Sequence, residues 1–273
     1  MPPIPPLFVL PITPAGRITC TQPSARIYLL TFDSPPDNRM TPAFCATLLL
    51  ALDILDHRFP KGVVITTSGI QKFYSNGLDY DSAIKTKGFF EDSLYPLWRR
   101  LLTYPMPTIA LIPGHAFAAG FMTAMMHDYR LMNPHRGYLC LNELNFGAPL
   151  KPPMASIFRQ KVPNPNTFQT MILESKRYGA LEAFKEGFLD GLGGVDDVVA
   201  FVNELRLVDR ASSGVYGQLK GEMWGETVGY LENSRGGEER AESEVNEQEA
   251  RKGVELKRVE EWEAKTKTAK SKL

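Results

Sequence analysis

The 273-residue chain has few groups with which to cross-link or polarise itself: three cysteines, four histidines, and 31 basic residues balanced by 31 acidic ones, for a formal net charge of zero. Balanced charge leaves no overall field to gather nucleic acid or an anionic membrane, so any anionic ligand has to be held locally. Cys20, Cys45 and Cys140 are odd in number, far apart and without a C-x-x-C pair, and they read as reduced thiols. His115 and His127 have neither a nearby cysteine nor an H-E-x-x-H setting, so no metal site is expected. No basic residue precedes Arg17 in the proline-rich start, which lacks the charged lead of a secretory or mitochondrial signal and reads as an extended arm. The most apolar stretch, Leu101 to Met132, is interrupted by Pro105, Pro107, Pro113, Gly114 and Gly120. No window of about 18 unbroken apolar residues remains, and no membrane span is expected. No repeat of fixed period supports a solenoid.

What is present suffices for a core: 43% of the residues are apolar, enough for one large globular body. Arg26 to Phe32 is a run of strand formers stopped by the turn Ser34-Pro35-Pro36-Asp37-Asn38. Thr41-Pro42 then opens a helix over Ala43 to Arg58, with threonine as cap and proline in the first turn. Lys61 to Thr67 is a second strand, so strand, helix and strand follow one another and the class is α/β. Farther on, Gln71 to Asp79 reads as a polar loop, Glu91 to Leu102 as a helix, Thr108 to Ile112 as a buried strand, and Gly114 to Gly120 as a tight small-residue loop. A helix over Phe121 to His127 follows, then a short strand at Tyr138 to Leu141, a break at Pro149 to Pro153 with another helix, and a helix over Ala180 to Gly187. Gly191 to Val195 reads as a turn and Asp197 to Arg210 as an amphipathic helix. Residues 1–200 are taken as the core, with the arm over 1–16, and 201–273 as a C-terminal helical region. From Asn233 onward Glu, Lys and Arg dominate, with Leu256, Val259 and Trp262 as the chief apolar anchors, and this reads as a solvated helix or a disordered tail. The final Ser271-Lys272-Leu273 has the form of the tripeptide that a peroxisomal import receptor reads.

Two loops stand out because each follows a buried strand and offers small residues where a backbone can be approached: Phe73 to Asp79 and Gly114 to Gly120. The second runs directly into a helix whose first amides have no internal acceptor, a setting that welcomes negative charge. A third segment, Leu139 to Gly147, carries Glu143 in apolar surroundings, where a carboxylate is either paired structurally or held at a raised pKa for proton transfer. Asp81 and Glu91 are expected to face water, and Asp128 to end its helix.

In combination, these segments resemble the enoyl-CoA hydratase/isomerase (crotonase) superfamily, whose loops read S-x-G-x-D and G-x-A-x-G/A-G in the same order. The resemblance runs from about Arg26 to Gly194. It implies a spiral of repeated ββα units, a trimer or pair of trimers, and an acyl-CoA thioester whose oxygen is held by the backbone amides of Leu78 and Ala119. It implies CoA contacts at Ser75, Asn76, Gly77 and Asp79, with Gly120 and Met122 lining the substrate site. Members that hydrate a double bond carry two glutamates; Met122 stands at the first position and Glu143 at the second. Methionine cannot move a proton, so the resemblance points to the Δ3,Δ2-enoyl-CoA isomerase branch, with one glutamate shuttling the proton and no metal or redox cofactor, the CoA being part of the substrate. A hydratase, another acyl-CoA lyase, or a non-catalytic acyl-CoA-binding subunit are the alternatives.

Overall fold

The computed structural model describes residues 4–233 and 249–260, and the chain divides into two compact units, Met1–Glu232 and Asn233–Leu273. The helices between residue 200 and Glu232 fall within the first unit. Of the second, residues 249–260 are helical with every residue exposed, whereas Trp262 and Ser271-Lys272-Leu273 lie outside the described residues.

The strands of the first unit are β1 (Phe8–Pro11), β2 (Arg17–Ser24), β3 (Ile27–Asp33), β4 (Val63–Ser68), β5 (Phe73–Ser75), β6 (Thr108–Ile112), β7 (His115–Phe117), β8 (Tyr129–Met132), β9 (Leu139–Cys140) and β10 (Gly191–Leu192). Seven form a large sheet in the order β1-β2-β3-β4-β6-β8-β10, and β5-β7-β9 form a small one. The β1-β2-β3 edge is antiparallel and the rest of the large sheet is parallel. Parallel strands must be covered on both faces, which is why β4 and β6 are buried at every position. Alternate residues sort between two apolar layers: Tyr28, Leu30, Phe32, Val64 and Ala110 face the main core, while Ile27, Leu29, Val63, Ile65, Ile109 and Leu111 face Val198 and Val202.

The helices are α1 (Pro42–Arg58), α2 (Tyr80–Lys85), α3 (Tyr95–Leu102), α4 (Ala119–Met125), α5 (Glu143–Phe146), α6 (Pro152–Lys161), α7 (Pro165–Leu173), α8 (Ala180–Lys185), α9 (Val195–Glu204), α10 (Leu207–Arg210), α11 (Tyr216–Met223) and α12 (Gly225–Glu232). Thr41 caps α1 as expected, its hydroxyl accepting the Phe44 amide at 3.2 Å. Three times a long strand of the large sheet is followed by a short strand of the small sheet and then by helix: β4-β5-α2, β6-β7-α4 and β8-β9-α5. This is the spiral of ββα units that the sequence implied. No helix of the described residues is long and apolar enough to cross a membrane.

Four local expectations change. The loop Gln71 to Asp79 contains β5, whose pairing with β7 supplies what three residues alone cannot. Gly191 to Val195 is not only a turn, since Gly191 and Leu192 pair in parallel with Leu131 and Met132. The helix from Asp197 is interrupted at Arg206, where φ is +53°. The N-terminal arm is partly a strand, Phe8–Pro11, paired antiparallel with β2.

Candidate active site

The small sheet is the frame of the site. Its three strands are parallel, with Ser75 opposite Ala116, and Ala116 and Phe117 opposite Leu139 and Cys140. Leu78, Ala119 and Glu143 each follow within three residues of a strand's end, so all three leave the same carboxyl edge of this sheet.

The first loop is moored to the turn that precedes α1. Asn38, fully buried, sits at φ +54°, a conformation asparagine tolerates, and its side-chain amide donates to Ser68 Oγ at 2.6 Å and the Tyr74 carbonyl at 3.1 Å. The Ser75 hydroxyl donates to the Asn38 carbonyl at 2.7 Å and accepts the Gly77 amide at 3.2 Å. Asn76 Nδ2 donates to Asp37 Oδ2 at 2.6 Å. The Met40 amide donates to the Gly77 carbonyl at 2.9 Å, and Arg39 to the Leu78 carbonyl at 2.8 Å. Both carbonyls are thus engaged, whereas the Leu78 amide donates to no acceptor among the described residues. The expected contacts Ser75 and Asn76 thus have their polar side chains engaged within the protein, Gly77 is buried, and Asp79 is exposed at the start of α2.

The second loop is bent sharply at Ala118, whose φ of +47° and ψ of −125° suit glycine rather than alanine. Its amide donates to the Cys140 carbonyl at 2.9 Å and its carbonyl accepts the Met122 amide at 3.0 Å. The bend leaves the Ala119 amide at the head of α4 with no acceptor among the described residues. The opposite end of α4 faces two basic side chains: Lys161 Nζ donates to the Met125 and His127 carbonyls at 2.7 and 2.6 Å, and Arg130 donates to the His127 carbonyl at 3.0 Å. The Arg130 guanidinium complements the helix dipole, whose positive end is at Ala119, whereas burial pulls Lys161 well below the usual lysine range. The loops also touch: a Cβ on Gly77 would stand 3.4 Å from the Ala119 nitrogen.

Glu143 opens α5 and is 8% exposed. Its Oε2 is buried and has no hydrogen-bond partner, and the same holds for Oδ1 of neighbouring Asn142. Burial pushes the Glu143 carboxyl up to about 7, partly offset by its own backbone hydrogen bond. Of the two fates the sequence left open, the structure therefore has the raised pKa and not an ion pair. Met122 is 1% exposed within α4 and brings no titratable group. Asp128 accepts the Thr108 amide at 2.8 Å and Lys220 Nζ at 3.0 Å, ties the sequence did not reveal. Asp81 is exposed, whereas Glu91 is partly buried. Two main-chain donors without acceptors among the described residues and one buried carboxyl thus follow three neighbouring strands of one small sheet, and such groups are the kind that can stabilise an enolate while a proton moves.

Comparisons with known proteins give the family. Residues 22–265 match the family described as enoyl-CoA hydratase/isomerase. Enoyl-CoA delta isomerase 3 of Arabidopsis thaliana is 30% identical over 212 residues, 73% of this chain and 89% of that protein. The Arabidopsis enoyl-CoA delta isomerase 1, peroxisomal, is 31% identical over 204 residues, 71% and 85% of the two chains. Among solved structures, human mitochondrial delta3-delta2-enoyl-CoA isomerase superposes with a TM-score of 0.69 at 21% identity, covering 80% of this chain and 87% of that one, a likeness of fold.

Proposed function

Because this chain belongs to the enoyl-CoA hydratase/isomerase family, we propose that it converts a 3-enoyl-CoA into the conjugated 2-enoyl-CoA, with Glu143 carrying the proton. The thioester oxygen accepts from the Leu78 and Ala119 amides. The Glu143 carboxylate removes a proton from C2, the carbon next to the thioester, and the electron pair spreads into a dienolate. The same carboxyl then delivers the proton to C4, so the double bond moves and nothing is gained or lost. Fixed donors in a water-poor site stabilise the dienolate by several kcal/mol because they need no reorganisation as charge develops.

The observation that carries this reading is the buried carboxyl of Glu143, free of any ion pair and with its Oε2 unpartnered, with Met122 at the position where hydratases hold a second one. One carboxyl can shuttle a proton, but adding water needs a second group to activate it. Relatives named enoyl-CoA delta isomerase support the reading. No metal or redox cofactor takes part, and the CoA belongs to the substrate. The test is the rise of conjugated thioester absorbance when 3-enoyl-CoA is added, and its loss in Glu143→Gln. Formation of 3-hydroxyacyl-CoA from 2-enoyl-CoA would establish a hydratase, and tight binding without proton exchange into deuterated water a binding subunit.

A place in fatty acid β-oxidation, a trimer or hexamer, and a peroxisomal site of action complete the proposal. Peroxisomal appears in the names of two Arabidopsis relatives and mitochondrial in that of a human one. Light scattering tests the assembly, and microscopy of a tagged chain with and without Ser271-Lys272-Leu273 tests the location.

A further inference from the structure

Leu78 leads directly into α2 and Glu143 opens α5, and the two short helices meet through one aromatic pair. The rings of Tyr80 and Phe146 lie 5.6 Å apart, edge to face at 63°. Tyr80 stands two residues past Leu78 and Phe146 three past Glu143, so the pair joins the segment after the first to the helix that opens on the second. Neither ring belongs to the core: Tyr80 is 39% exposed and Phe146 48%, and on the same two helices Ile84 is 57% and Leu144 58% exposed. The two segments meet again farther on, where Lys151 Nζ lies 4.0 Å from the centre of the Phe90 ring. Apolar surface left open on the helix that begins with a buried carboxyl, and on the helix that meets it, is surface a ligand can cover.

We propose that the Tyr80–Phe146 pair is the wall on which the acyl tail beyond the reacting carbons packs, and that it gives this protein a preference for long chains. The inference rests on the reading of Leu78, Ala119 and Glu143 as the thioester site, and it names the substrate class of that site. A six-carbon chain has only two carbons past C4 and little to lay on the rings. A twelve-carbon chain has a run of methylenes, and each one buried against apolar surface strengthens binding by about fourfold.

The experiment is calorimetric titration of the full chain and of Tyr80→Ala, Phe146→Ala and the double variant with hexanoyl-CoA and dodecanoyl-CoA, with 3-enoyl-CoA turnover of the unaltered protein measured alongside. The expected result is a loss of about tenfold in dodecanoyl-CoA affinity in the double variant, with hexanoyl-CoA within about twofold. Both side chains are partly exposed, and circular dichroism with Tyr80→Phe and Phe146→Leu controls for folding. Equal weakening of both ligands, or an unchanged ratio, overturns the wall. Loss of the chain-length ratio in a protein that binds both ligands yet does not isomerise leaves the wall standing and removes the isomerase reading. If neither ligand binds the unaltered protein, both fall.

Discussion

A Cβ placed on Gly120 would stand 2.4 Å from the carbonyl oxygen of Ser75 and 2.8 Å from its Cβ. The second loop therefore lies against the first with no room for even a methyl group between Gly120, one residue from Ala119, and Ser75, three residues from Leu78.

Gly120→Ala tests that spacing. The neighbouring atoms include backbone, so the loops must part, and misplacing a donor by about 1 Å lowers kcat/KM by roughly a hundredfold. Gly179→Ala is the matched control, since Gly179 has an ordinary φ of −72° and nothing within 4 Å of its added Cβ. Steady-state kinetics on the two variants separate a local displacement from a general intolerance of alanine.

The pH dependence of turnover should report Glu143. Its carboxyl, at about 7 rather than 4.5, must be ionised to accept a proton, so kcat/KM rises as pH passes through about 7 and then levels. Stability runs the other way. Between pH 4.5 and 7 the folded state binds more protons than the unfolded chain, so stability falls as pH rises across that window. Glu143→Gln mimics the protonated acid and should be more stable than the unaltered protein at pH 8, by roughly 3 kcal/mol, with no difference at pH 4. Denaturant melts at the two pH values, together with the lost activity, check both halves.

His127 gives the opposite acid response. Burial, reinforced by Lys161, Lys220 and Arg130 and opposed by its bond to the Thr123 carbonyl, pushes it down to about 3. Its Nδ1 and Nε2 meet the Thr123 carbonyl and the Thr66 hydroxyl, each at 2.9 Å, which suits the neutral ring. Between pH 6.5 and 3 the unfolded chain binds the extra proton, so stability should fall on acidification by up to about 1.4 kcal/mol per pH unit. Melts in the Glu143→Gln background exclude the opposing carboxyl titration. His127→Gln in that background should flatten the slope.

Ala118→Gly should raise stability. The left-handed φ of Ala118 strains its backbone by about 1–3 kcal/mol, while glycine adds about 0.5–1 kcal/mol of unfolded-state freedom. The net gain expected in urea melts is about 1 kcal/mol.

How much of this was legible in the sequence follows from the reach of each interaction. Thr41-Pro42 announces α1 because a cap is local, and the runs around Leu29, Ile65 and Ile109 announce strands because they are buried on both faces. The small sheet was not legible as a sheet: strands as short as Leu139–Cys140 and His115–Phe117 carry no alternation to read, and each exists through pairing with distant residues. Leu78, Ala119 and Glu143 emerged from the resemblance of three segments taken together. The supports behind them were missed. Asn38 and Arg39 belong to a turn that looks like plain punctuation, and Lys161 reaches the Met125 and His127 carbonyls from a helix farther along the chain.

The small sheet has a further consequence for how the molecule comes together. Segments of two or three residues have too few contacts to persist alone, and each is delivered by the longer strand before it, so β5, β7 and β9 can align only after β4, β6 and β8 have docked. During refolding, recovery of turnover should therefore trail recovery of the far-ultraviolet signal. A proteolytic fragment ending before Leu139 would lack Glu143 and, on the proposed mechanism, turnover, however well its helices had formed.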